Sequence, residues 1–90
     1  MGVIPELAAK VLVYPNPNNG EFTISMPALN TPVVEATIFN AVGQKVWQKA
    51  LPTNGVYLKE TIATQKLAPG VYSLRLETAA GPVQRKIIIE

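Results

Sequence analysis

Turn chemistry recurs at near-regular intervals along this chain, and the intervals leave room for short strands rather than helices. Pro15-Asn16-Pro17-Asn18-Asn19-Gly20 sets two prolines among three asparagines and ends in an Asn-Gly pair suited to positive φ. Further breaks fall at residues 27–32, Ala41-Val42-Gly43, Pro52-Thr53-Asn54-Gly55, Pro69-Gly70 and Ala79-Ala80-Gly81-Pro82. Between them, apolar and polar residues alternate with the period of a strand that has one buried and one wet face. The segment after Pro69-Gly70 is the clearest case. Tyr72, Leu74 and Leu76 fall on one face, and Ser73, Arg75 and Glu77 on the other. The turn itself is expected to hold Gly70 at positive φ, behind a proline whose own φ is fixed.

Strands are predicted over residues 10–14, 21–26, 33–40, 44–50, 57–62, a sixth opening at Val71, and 83–90. Phe22, Ile24 and Met26 are assigned inward in the second, with Glu21, Thr23 and Ser25 outward. In the third, Val34, Ala36 and Ile38 take the buried side and Glu35, Thr37 and Phe39 the other. The fifth alternates weakly, and no segment sustains helical periodicity. These features indicate an all-β fold, an immunoglobulin-like antiparallel β-sandwich of about seven strands. The chain lacks the paired cysteines of antibody domains, so the expectation concerns architecture alone. Residues 1–9 read as a linker opening on an expression remnant, and residues 10–90 as the domain.

Ninety residues suffice for one domain that buries roughly 60–65% of its unfolded surface. In so thin a core an active-site cavity would compete with folding for residues. The 48% hydrophobic content is ample, and 16% charge with both signs scattered argues against disorder. Formal net charge is +2, and the densest basic pair, Arg85-Lys86, is too small to track a phosphate backbone. Nucleic acid is therefore excluded as a partner. No apolar run approaches the roughly 20 residues of a membrane span, and the start lacks the pattern of a signal peptide.

The chemical inventory is short. Histidine, cysteine and aspartate are absent, and the six glutamates, at 6, 21, 35, 60, 77 and 90, are dispersed. Ser25 and Ser73 have no base available. No catalytic residue, metal site or cofactor is expected, and the chain does not read as an enzyme. The loop over residues 14–20 could offer carbonyls to calcium, but Glu21 is its only adjacent carboxylate. The same residue types are what a tight connection needs. Phe39 and Trp47 are placed on outward positions of a hairpin. There they could stack a sugar ring, as in a carbohydrate-binding or adhesion module, or close a second cluster with Tyr57.

Three blocks in order resemble the C-terminal sorting domain (type A) of Bacteroidetes type IX secretion cargo. The first is Val13-Tyr14-Pro15-Asn16-Pro17, then Gly20, Phe22 and Ile24. The second is Val34-Glu35-Ala36-Thr37-Ile38-Phe39-Asn40, then Gly43, Lys45 and Val46. The third is Leu67-Ala68-Pro69-Gly70-Val71-Tyr72, with the closing Lys86-Ile87-Ile88-Ile89. Asn40 stands where that family often has aspartate, and Thr64 where it often has leucine. The resemblance implies a domain at the C-terminus of a secreted cargo, recognised at an outer-membrane translocon with its shuttle components and often cleaved off. A sortase-like peptidase would attach some cargo to the surface of a Gram-negative bacterium. The parent would pass the periplasm and outer membrane to reach the surface or medium.

On this reading Pro69, Gly70, Val71, Tyr72, Lys86, Ile87, Ile88 and Ile89 are the candidate recognition residues. Tyr14, Pro15, Asn16, Pro17, Gly20 and Gly43 form the structural motif. Three consecutive isoleucines cannot all face one core, so Ile88 is expected to point away from its neighbours. The last strand either completes a sheet or offers an edge to which a partner adds a strand. Held from one side at most, residues 86–90 are expected to serve recognition more than folding.

Overall fold

The alternation becomes seven strands: β1 (Leu12–Tyr14), β2 (Glu21–Pro27), β3 (Val33–Phe39), β4 (Lys45–Pro52), β5 (Tyr57–Ala63), β6 (Gly70–Thr78) and β7 (Gly81–Ile89). The computed structural model describes residues 10–28, 30–64 and 67–90. The linker expected over residues 1–9 lies outside the described residues. One sheet has the order β1-β2-β5 and the other β4-β3-β6-β7, and every neighbouring pair is antiparallel. The chain changes sheet after β2, after β4 and after β5, as in an immunoglobulin-like sandwich.

The inner faces meet in one core. Phe22, Ile24 and Met26 from β2 and Leu58 and Ile62 from β5 pack against Val34, Ala36 and Ile38 from β3. Leu51, Tyr72, Leu74, Leu76, Val83, Ile87 and Ile89 complete the other sheet's side. All nine residues that the alternation assigns to the buried faces of β2, β3 and β6 are buried. The weak alternation of β5 has a cause: Glu60 stands opposite buried Ile24, on the core side of an edge strand. An outer-face position can also be covered. Ser25 is buried, its hydroxyl bonded to that of Tyr57, and Thr37 is buried between β4 and β6.

Gly70 and the hold on the last strand depart from expectation. Gly70 is the first residue of β6 and is not a positive-φ glycine; among the described residues those are Gly20, Gly43, Gly55 and Gly81. The strand begins one residue sooner than the turn reading allows, because Gly70 already pairs with Ile89. The last strand is also no loose end. Ile87 and Ile89 are core residues, and only Ile88, half-buried, points away from them as foretold.

Candidate functional site

The three motif blocks are far apart in sequence, yet their loops gather at one pole of the sandwich. The β1–β2 loop, the β3–β4 turn, residues 67–69 ahead of β6 and the end of β7 all lie there, as the strand directions require. The start of β1 points toward the opposite pole, since Leu12 pairs with Ser25 and Tyr14 with Thr23.

Tyr72 explains the Pro-Gly-x-Tyr spacing. As the third residue of β6 its ring turns inward, and its hydroxyl donates to the Ala68 carbonyl at 2.6 Å. A tyrosine near the start of the sixth strand that ties back to the preceding loop is a tyrosine corner of immunoglobulin-like folds. A Cβ on Gly70 would lie 3.7 Å from Tyr72 Cε1, an ordinary contact. Tyr72 is thus a buried fastener, while Pro69 and Val71 are exposed.

The pairing of β6 with β7 brings the two candidate recognition segments together. Gly70 is opposite Ile89, Val71 opposite Ile88 and Tyr72 opposite Ile87. Val71 (49% exposed) and Ile88 therefore form a cross-strand apolar pair on the outer face, with exposed Lys86 next along it. Asn40–Val42 of the β3–β4 turn and residues 69–72 border a shallow groove of about 260 Å³. Val42, 79% exposed, stands on its far wall. The turn is held by Asn40, whose Oδ1 accepts the Val42 and Gln44 amides at 3.1 and 2.9 Å.

The outer edge of β7 is not bare, which corrects the expectation of an unpaired terminal backbone. Asn18 pairs in parallel with Ile89: its amide donates to the Ile88 carbonyl at 2.9 Å, and its carbonyl accepts the Glu90 amide at 2.8 Å. Two residues earlier, Pro15 and Pro17 flank Asn16 and the main chain cannot continue as a strand. The Asn16 side chain takes over. Its Nδ2 donates to the Lys86 carbonyl and its Oδ1 accepts the Ile88 amide, both at 2.9 Å. These are the two bonds that a main-chain N–H and C=O would make at that rung of a parallel ladder.

The clasp is anchored from behind. Asn18 is buried, and its Oδ1 accepts the Gly20 amide at 2.9 Å. Gly20 has φ 103°, a region that side-chain-bearing residues rarely enter, and its carbonyl accepts from both the amide and the hydroxyl of Thr64. Thr64 is buried at 3% exposure, so the residue that departs from the resembled pattern fastens the loop as a leucine could not. The sequence places Asn16 in the motif and Asn18 in its turn, but gives neither a partner on the last strand. Partners 70 and 72 residues away leave no local signal.

The sugar-stacking platform does not form. Phe39 lies on the outer face among Glu35, Lys45, Arg75 and Glu77. Trp47 lies opposite buried Ile38 and packs against the core, because the register shifts between Ile38 and Phe39. The Tyr57 hydroxyl is engaged with Ser25 in the other sheet. Among the described residues, no group of three or more His, Cys, Asp or Glu side chains could hold a metal, and no helix is long and apolar enough to cross a membrane.

A family model described as the secretion system C-terminal sorting domain matches residues 12–90. No curated protein matches the chain.

Proposed function

We propose, for a chain that belongs to the family of secretion-system C-terminal sorting domains, that it is read through the pole where its motif loops and its terminal strand meet. The domain is the sorting signal of type IX secretion cargo, and membership carries interaction with that machinery and export to the cell surface or medium. The finer reading is ours. Residues 10–90 form the signal, a cargo domain precedes it, and the chain itself catalyses nothing. Its partners are outer-membrane translocon and shuttle components and a sortase-like peptidase, met after passage through the periplasm of a Gram-negative cell.

The observation that carries this reading is the register between β6 and β7, which sets Val71 beside Ile88. Two segments singled out separately become one surface, with Pro69, Val42 and Lys86 around it. Exposed apolar side chains rimmed by polar ones are what a protein partner buries. Gly70, Tyr72, Ile87 and Ile89 support that surface from beneath, and Tyr14, Pro15, Asn16, Pro17, Gly20 and Gly43 shape its loops. The pole also faces away from the start of β1, where a preceding cargo would attach.

The test pairs a thermal melt with export of a reporter fused ahead of the chain in a type IX-competent host. Ile88→Lys should keep the fold, because a half-buried outer-face position tolerates a long charged side chain. It should block delivery. Normal export of the folded variant refutes the assignment of the pole.

A further inference from the structure

We infer that the clasp formed by Asn16 and Asn18 is a placeholder, and that an extended segment of the secretion machinery displaces it and adds to β7 as a parallel strand. The inference rests on the pole being the recognised surface and specifies how it is recognised. The chemistry of the occupant is written in what now sits there. Four bonds satisfy the outward backbone of the strand's end: to Lys86 O, from Ile88 N, to Ile88 O and from Glu90 N. They match successive rungs of a parallel ladder. Only the Asn18 rung is made by main chain. The Asn16 rung is made by a carboxamide, exposed at the surface, that imitates a peptide group.

An uninterrupted strand would make the same bonds with its own backbone, and unlike the proline-flanked clasp it could continue beyond them. It would also place an apolar side chain beside the Val71–Ile88 pair on the outer face. The partner is therefore an extended backbone segment with an apolar residue at that rung, aligned with β7. In its absence the clasp hides an edge that would otherwise recruit any strand.

A lock on the clasp tests this. The chain contains no cysteine, and bridge partners in adjacent strands lie within the Cα separation a disulfide spans. Asn18→Cys with Ile89→Cys therefore welds the loop to the strand, and each single cysteine variant controls for its own substitution. In the reporter assay the welded chain should be exported at least about tenfold less than the weaker of its two single-cysteine controls. A welded chain exported as well as its controls overturns the displacement.

Asn16→Ala gives an independent arm and decides alone if the cysteine variants do not fold. It should melt as a folded domain, speed amide exchange at Ile88 severalfold and at Glu90 less, and be exported at least as well as the parent. If Asn16→Ala unfolds, or folds and is not exported, the clasp is a structural strap or part of the recognised surface, and the inference falls. Val71→Lys separates the two levels. Normal export of that variant refutes the pole itself, whereas blocked export beside an exported welded chain refutes displacement alone.

Discussion

The two outer strands of the four-stranded sheet face the same hazard and meet it differently. Each has a row of backbone groups without a further strand beside it, which invites pairing with another chain. Strand β4 is guarded from within. Lys45, Lys49 and Pro52 lie on it, it is shifted in register against β3, and Lys49 stands on the core side opposite Ala36. Strand β7 has comparable guards only as far as exposed Lys86, with Pro82 opposite Glu77 and Arg85 opposite buried Leu74. Its last third, Ile87 to Ile89, is apolar and is guarded by a separate piece of chain. A guard built into a strand is permanent, whereas a guard lent by a loop can be withdrawn. An edge needed for recognition has reason to use the second kind.

The difference concerns backbone cover and not core packing, and the largest predicted effect checks that. Leu51 on β4 and Ile87 on β7 are both fully buried. Leu51→Ala and Ile87→Ala should each cost about 2–5 kcal/mol by denaturant melts. If Ile87→Ala costs less than about 1 kcal/mol, the terminal strand is peripheral and the comparison of the two edges loses its basis.

The clasp side can be weakened without touching either strand. Gly20→Ala places a Cβ at φ 103° and 3.5 Å from the Thr64 carbonyl oxygen. A loss of about 1–3 kcal/mol is expected from backbone strain. Amide exchange at Glu90 should rise with it, since Asn18 holds both Gly20 and the strand end. An unchanged Glu90 amide would mean that the clasp stands independently of its anchor.

The fastening of Tyr72 gives a smaller effect. Tyr72→Phe keeps the ring and removes the bond to Ala68, for an expected loss of about 1–2 kcal/mol. A loss below about 0.3 kcal/mol would show that the ring alone fixes the loop.

The sequence made strands legible wherever one face is buried and turns are cheap to recognise. Thus β2, β3 and β6 were foretold nearly to the residue, with Ile88 turned out between two core isoleucines. It failed where a residue answers to a distant partner. Gly70 carries the local marks of a turn, but pairing with Ile89 draws it into the strand. Trp47 changes face because the β3–β4 register shifts, and an irregular register is invisible to strict alternation. Asn16 and Asn18 look like turn residues and are so, but their bonds to Lys86, Ile88 and Glu90 depend on the sheets being stacked. The site was legible as segments and illegible as a surface for the same reason.

The smallest effect on stability should come from the guard on β4, and it tests the comparison from the opposite side. Lys49 is exposed and has no part in the core, so Lys49→Val should shift stability by no more than about 0.5 kcal/mol. It should change the molecule's company instead. Valine opposite Ala36 removes the charge that a second strand would have to bury, leaving Lys45 and Pro52 at the ends of the edge. Sedimentation at rising concentration should show self-association in Lys49→Val that the parent chain lacks. Asn16→Ala, which loosens the other edge, should associate too, and the double variant should associate more than either. If Lys49→Val stays monomeric at every concentration while Asn16→Ala does not, the register shift and Pro52 protect β4 sufficiently and the buried-side charge is incidental. If neither associates, neither guard is what keeps the edges apart, and the contrast between a permanent and a removable guard fails.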